Sequence, residues 1–436
     1  VGFISAPTKR LASGVYAPDH WDDGWRAAKR AAATVPARLV MVGDSITAGQ
    51  PANQASNNTQ DWLNGSFYGV LRDSLATRIH GGLGAEFFGL NESILRNPNY
   101  HDASGAHAPL FFANGSLVGP SGGTPANYTW TVVQNGWWWV AQGASTTAWT
   151  TATSYMAAFT SPYTDTVRVD AVYVNYFGNA SGSWKYGPNA DASGATSVTG
   201  IPISFSAVNR ATVYSGAASQ PTVYFGSQGH ASDFYLLGCI VYRNTAVGGA
   251  AVSNGLQIAR HAFTGKTAAE FTQINSGGVP VDRAKAMIGG YDGSTYDAVG
   301  FPTCPHLLIY ALGVNDNNRS QTDASGVNAD PHTFMHSLRR VVEAGRRGRP
   351  DMSVLIILPH YGAIDYADNP SFAYNDSWVD YHDAAQVVAR EYTCALLSMN
   401  ARWGSTAFAQ GFQSANDGHP TAAGYADMAA FIAGVL

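Results

Sequence analysis

The feature that most limits what this chain can fold into is a recurring unit: a short apolar run that stops at a turn and gives way to a helical period. ARLVMV (37–42), HLLIYALG (306–313) and MSVLIILP (352–359) are nearly continuous in apolar residues. That pattern suits strands covered on both faces of a parallel sheet. Helical spacing follows each of them. Val70, Leu71, Leu75 and Ile79 form one period; Asp330 caps and Pro331 opens a second, with Phe334, Leu338, Val341 and Val342 on one face. Trp378, Tyr381, Ala385, Val388 and Tyr392 recur at spacings of three and four before the strand TCALLSM, and a last helix starts at Thr421. AEFFGL (85–90) reads as a further strand. The alternation predicts an α/β fold around a parallel sheet.

Residues 96–255 interrupt this texture. YTWTVV, DTVRVDAVYVNYF, ATVYSG, PTVYFG and FYLLGCIVYR are closely spaced alternating runs separated by turn residues, the pattern of an all-β sandwich or jelly roll. The expected organisation is therefore 1–95, an N-terminal extension with the first α/β units; 96–255, an inserted β domain; and 256–436, the rest of the α/β fold. No internal repeat is present.

Charge and composition exclude several classes. A net charge of −5, with 13% charged residues, leaves no footprint for nucleic acid. The group Arg339, Arg340, Arg346, Arg347 and Arg349 reads as the solvated face and end of a helix. No run reaches the roughly 18 to 20 apolar residues of a membrane span. The chain starts at Val1 and is rich in Gly, Ser, Thr, Asn, Trp and Tyr but poor in Lys, the texture of an exported bacterial carbohydrate-active protein. A secreted or cell-surface location with a removed signal peptide is expected. Cys239, Cys304 and Cys394 have neither metal spacing nor the number for a disulfide framework, and buried thiols are expected. His101, His107, His230, His332, His336 and His382 show no ligand spacing, so neither a catalytic metal nor a cofactor is expected.

Three segments carry chemistry. VMVGDSITAG (40–49) sets Ser45 just past an apolar strand, at the carboxyl end where open α/β sheets bind ligands. Thr47 stands where the second glycine of a Gly-x-Ser-x-Gly elbow would be, so that motif is absent. ALGVNDN (311–317) places Asn315 past a second strand end, where its amide can reach the same crevice and stabilise an oxyanion; the bland reading is a turn-forming Asn-Asp pair. SANDGHPTAAGY (414–425) carries His419. A histidine base needs its other ring nitrogen held, usually by a carboxylate, and Asn416 and Asp417 stand side by side.

GDS, GxND and a His-Pro segment, in that order, resemble the SGNH (GDSL-type) hydrolase superfamily over about residues 37–95 and 256–436. The resemblance implies a flavodoxin-like parallel sheet, interrupted here by the β insert, and carboxylic ester hydrolysis. It makes Ser45 the nucleophile and donor of one oxyanion-hole N–H, Asn315 a second donor, and His419 the base. The glycine block that completes the hole matches RHAFTGKTAAEF (260–271), with Gly265 opening a helix whose first N–H groups point at the site; Gly289 and Gly290 match less well. The family's acid lies three residues before the histidine, and that position is Asn416. Asn416 can orient the ring but carries no charge, a swap that costs about 10⁴ in rate in a serine triad. Asp417, two residues before, serves if the loop tightens at Gly418. A backbone carbonyl in a Ser-His dyad is the third option.

For substrate, the Trp- and Tyr-rich insert points to a carbohydrate ester, most simply O-acetyl. A carboxylesterase or lipase acting on lipid or cell-envelope acyl chains is the alternative enzyme, and a carbohydrate-binding surface protein with a decayed site is the non-catalytic one. GWWWV (136–140) reads either as a sugar platform or as sandwich core. His360 and Tyr361, past a strand end, are candidates to line the cleft.

Overall fold

The computed structural model describes residues 14–49, 65–89, 111–113, 129–132, 141–144, 149–150, 157–176, 184–189, 191–198, 209–216, 220–227, 233–243, 254–262, 266–272, 288, 301, 304–318, 330–360, 378–404, 407, 409–414 and 417–436. GWWWV, Gly265, Gly289, Gly290, Tyr361, Asn416, His101, His107 and His230 lie outside them.

The apolar runs are strands, and they pair in parallel. Ala37–Gly43 lies between Leu307–Ala311 and Leu256–Ala262. Ser353–Leu358 and Ala395–Ser398 continue the sheet beyond Leu307–Ala311, and Val15–Tyr16 closes that edge antiparallel. Ordered along the sheet, the strands that start at residues 256, 37, 307, 353 and 395 follow the flavodoxin-like order 2-1-3-4-5. AEFFGL does become a strand, Leu83–Gly89, but it lies one place further out, parallel to Leu256–Ala262. Helices cover both faces. Phe67–Arg78 and Ala422–Val435 pack on one side with Leu71, Leu75, Met428 and Ile432; Pro331–Gly348 and Trp378–Glu391 pack on the other with Phe334, Leu338, Tyr381 and Val388. Asp330 caps its helix as expected, accepting the His332 and Thr333 N–H groups at 2.9 and 3.0 Å.

The strands from the β-rich stretch fall into two larger sheets and a small pair. Asp233–Arg243 pairs antiparallel with Leu83–Gly89, Thr166–Tyr176 pairs with it in turn, and Asn209–Ser215 forms the edge, extending the parallel sheet to ten strands among the described residues. Gly238 permits the join: a Cβ there would come within 2.2 Å of the Phe88 carbonyl oxygen. Thr196–Val198, Trp184–Gly187, Thr222–Ser227, Ala157–Thr160 and Phe111–Ala113 make a second, antiparallel sheet. Thr129–Val132 pairs with Ala141–Ala144. Phe159, Tyr173, Trp184 and Phe225 belong to the same apolar cluster as Leu39, Met41 and Ile309, so the two textures share a core.

A buried polar knot sits at the seam. Glu86, on Leu83–Gly89, accepts the Tyr68 hydroxyl at 2.6 Å and the Tyr163 hydroxyl, and pairs with the buried Arg72 guanidinium. Arg243 lies over the Tyr163 ring, 4.3 Å from its centroid, and pairs with Asp165. A carboxylate this deep is tolerated because each lone pair is met.

Candidate active site

The strand Ala37–Gly43 ends against its neighbour so tightly that only glycine fits the last place. A Cβ on Gly43 would come within 2.0 Å of Thr47 Oγ1 and 2.8 Å of the Ala311 carbonyl oxygen. Asp44 then caps a single turn, Ser45–Ala48, its Oδ1 accepting the Ile46 N–H at 2.9 Å. Gly49 closes the turn at φ +90°, a left-handed conformation that favours glycine. Ser45 is thus the first residue of a short, fixed turn at the carboxyl end of the sheet. The buried Arg260 guanidinium holds the far end of that turn, donating to the Ala48 carbonyl at 3.0 Å and stacking 4.7 Å above the Tyr68 ring.

His419 arrives from the other end of the chain. It sits on Asp417–Pro420, which pairs antiparallel with Gln413–Ser414. Thr421 follows as the cap of the last helix, its hydroxyl accepting the Gly424 N–H at 3.2 Å. Between this ribbon and this cap, His419 Nε2 lies 2.8 Å from Ser45 Oγ, across 374 residues of sequence. When Nε2 accepts the serine O–H, the ring hydrogen is on Nδ1, so the group that orients the ring must be an acceptor there. Asp417 has its backbone on this strand; its side chain, like Asn416, is outside the described residues.

Asn315 comes to the same place. Leu307–Ala311 ends at Gly313, with φ +126°, and Val314–Asn318 begins a short helix. Asn315 Nδ2 lies 3.3 Å from Asp44 Oδ2 and 3.2 Å from the Lys266 carbonyl oxygen, bridging the serine turn to the residue that follows Gly265. Asp316 turns the other way. Both of its carboxylate oxygens lie 3.0 Å from the Ala268 N, whose N–H they accept, and Tyr381 donates its hydroxyl to the Asp316 backbone carbonyl at 3.1 Å. Asn-Asp is therefore not a plain turn pair.

The helix expected to open at Gly265 begins later, at Ala268. Thr267 and Glu270 form a capping box that fixes its start: the Thr267 N–H donates to Glu270 Oε2 at 2.9 Å and the Glu270 N–H to Thr267 Oγ1 at 3.3 Å. With Ala268 N–H given to Asp316, the leading donors of this helix serve Asp316 and the box rather than the serine.

Burial sets the charge state around the pair. It pushes the Asp44 carboxyl up to about 6, against the opposing pull of the Ile46 N–H and of nearby His419. It pushes Asp316 up to about 8, with the negative charges of Asp44 and Glu270 adding to the shift. Both carboxyls are thus raised by burial, Asp316 further than Asp44.

His360 lies just past the strand Ser353–Leu358. Its ring is buried, with Nδ1 2.6 Å from Gln413 Oε1 and Nε2 3.0 Å from the Gly404 carbonyl oxygen, so both nitrogens are committed to neighbouring segments. Cys239, Cys304 and Cys394 are buried thiols, as expected. Among the described residues no group of three or more metal-binding side chains converges, and no helix is long and apolar enough to cross a membrane. Arg260 and Gln413 carried no sequence signal as site residues beyond being polar in segments that had to be buried.

No family model and no curated protein sequence matches this chain. Among solved structures it is similar to one described as "Peptidoglycan O-acetylesterase in action, 5 min", at a TM-score of 0.53 and 14% identity, with 97% of each chain covered. It also matches a family two carbohydrate esterase from Clostridium thermocellum in complex with cellohexaose, at a TM-score of 0.26 and 13% identity, covering 66% of this chain and 92% of that one. At these scores only the first likeness speaks to the fold, and it does so over nearly the whole length. The fold they share is a mixed α/β fold with a large, parallel-rich sheet.

Proposed function

We propose that this protein is a serine carboxylic ester hydrolase that removes short acyl groups, most simply acetyl, from a carbohydrate. One observation carries the reading: the 2.8 Å approach of His419 Nε2 to Ser45 Oγ at the carboxyl end of the sheet. Ser45 Oγ attacks the ester carbonyl as His419 takes its proton. The oxyanion forms between the Ser45 and Gly265 N–H groups and the Asn315 amide, one of whose hydrogens swings from its long contact with Asp44 or Lys266. His419 then protonates the leaving alcohol, and water, activated by the same ring, releases the acid. Asp417 is the proposed acceptor for Nδ1–H, with Asn416 and a backbone carbonyl as alternatives. Asp44, buried beside the pair and raised to about 6, places an ionisable carboxyl next to the serine turn. This sequence of steps asks for no metal or cofactor.

The substrate class is supported by the 97% mutual coverage with the peptidoglycan O-acetylesterase fold and by the aromatic-rich insert at 96–255, flanked by hydrolase parts at 1–95 and 256–436. An exported, cell-envelope setting fits both. A chain-length series of p-nitrophenyl esters, run on wild type and Ser45→Ala, tests it. A sharp preference for the acetyl ester, lost in the variant, is expected. Preference for eight carbons or more would favour a lipase-like enzyme, and no Ser45-dependent turnover would leave a carbohydrate-binding role.

A further inference from the structure

His419 stands on a weak element. Among the described residues Asp417–Pro420 pairs only with Gln413–Ser414, and a two-stranded ribbon is marginally stable alone. Yet a catalytic base must hold its position to a fraction of an ångström. Something must tie the ribbon to the sheet. Gln413 is the register partner of Pro420, next to His419, and its side chain is buried against His360. His360 in turn lies just past Ser353–Leu358, a fully buried strand of the parallel sheet. Its second nitrogen binds the Gly404 carbonyl at 3.0 Å, and its ring packs 5.4 Å from Trp403, which packs 5.3 Å from Phe412. Phe412 holds the chain on the same, C-terminal side of His419, its carbonyl accepting the Thr421 N–H at 2.9 Å.

We propose that His360 is a positioning residue for His419, acting through Gln413: it pins the supporting ribbon to the parallel sheet and so sets the distance from His419 Nε2 to Ser45 Oγ. The chemistry of the contact suits a fixed post. Burial lowers the His360 pKa, so the ring is neutral near pH 7. The Gly404 carbonyl can only accept, which puts the ring hydrogen on Nε2, and Gln413 then meets Nδ1 with its amide N–H, turned end for end from the oxygen placed there. An amide can turn to serve either protonation state of the ring. A carboxylate would lose that freedom.

The inference rests on the esterase reading, and its test separates the two. Wild type, His360→Leu, Gln413→Met, the double variant and His360→Gln are compared for kcat and KM on p-nitrophenyl acetate, for melting temperature, and for the His419 imidazole signals by nitrogen-15 NMR. Each single change is expected to lower kcat about 10- to 100-fold, the cost of misplacing a reacting group by a fraction of an ångström to an ångström, with KM within about twofold. The double variant should be no slower than the slower single one, and His360→Gln, which keeps a polar group in the gap, should recover most of the loss. The His419 signals should shift and broaden in Gln413→Met. Variants that melt earlier but keep wild-type kcat would overturn the proposal, as would losses that multiply in the double variant. If wild type shows no Ser45-dependent turnover, the esterase reading fails, and unchanged His419 signals in Gln413→Met would still overturn this one.

Discussion

Asp316→Asn should stabilise the protein above pH 7 and leave its stability at pH 4 almost unchanged. The Asp316 carboxyl is fully buried, and burial, with the nearby charges of Asp44 and Glu270, raises it from 3.8 in the open chain to about 8. Because the folded state prefers the protonated acid, its contribution is complete below about pH 3.8 and is lost as pH rises towards 8. At about 1.4 kcal/mol per unit, a shift of roughly four units sets a ceiling near 6 kcal/mol. Relaxation and an effective interior dielectric near 20 bring the expected figure to about 3 kcal/mol. Asparagine keeps an oxygen for the Ala268 N–H, which both Asp316 oxygens now accept at 3.0 Å, and has no charge to bury. Urea unfolding of both proteins at pH 4, 7 and 8.5 should give a difference that opens from nearly zero to about 3 kcal/mol in favour of Asn. A variant less stable by the same amount at every pH would mean instead that Asp316 acts only as a hydrogen-bond acceptor.

Other perturbations read the site itself. Gly43→Ala drives a Cβ to 2.0 Å from Thr47 Oγ1, and the displaced Ser45 turn should cost about 10²-fold in kcat/KM with the circular dichroism spectrum preserved. Asn315→Ala should lower kcat by about 10² to 10³ while KM changes little, the loss of one oxyanion donor. Asp44 ionises near pH 6, so kcat/KM should rise as pH passes that value, and Asp44→Asn should flatten the rise. Tyr163→Phe removes a hydroxyl bonded to Glu86 and should cost about 1 to 3 kcal/mol in urea unfolding, with kcat unchanged.

Much of this arrangement was legible because it is local. ARLVMV, HLLIYALG and MSVLIILP are buried on both faces, so their sequences are apolar without alternation, and Asp330-Pro331 announces its helix by capping chemistry alone. Strand order was not legible. Leu256–Ala262, with the sequence LQIARHA, takes the place beside Ala37–Gly43, yet Gln257, Arg260 and His261 hide it as a strand. Gln257 and Arg260 can be buried because distant partners meet them: Arg38 donates to Gln257 at 2.9 Å and Arg260 reaches Ala48. The same dependence on remote partners explains the helix start at Ala268 rather than Gly265, fixed partly by Asp316, and the burial of His360, fixed by Gln413. In the β-rich stretch, alternation marked the strands, but no local signal told that three of them would extend the parallel sheet through Leu83–Gly89. For the site, Ser45, Asn315 and His419 were chosen from separate segments, and the folded chain brings Ser45 to His419 and Asn315 to Asp44.

Ser45 is proposed as a nucleophile activated by His419. Labelling with a fluorophosphonate, followed by peptide mass spectrometry, measures this directly in wild type and in His419→Ala. A single adduct is expected on the peptide containing Ser45, formed at least about 100-fold more slowly without His419. An adduct on another residue, or one on Ser45 that forms equally fast in His419→Ala, would contradict it.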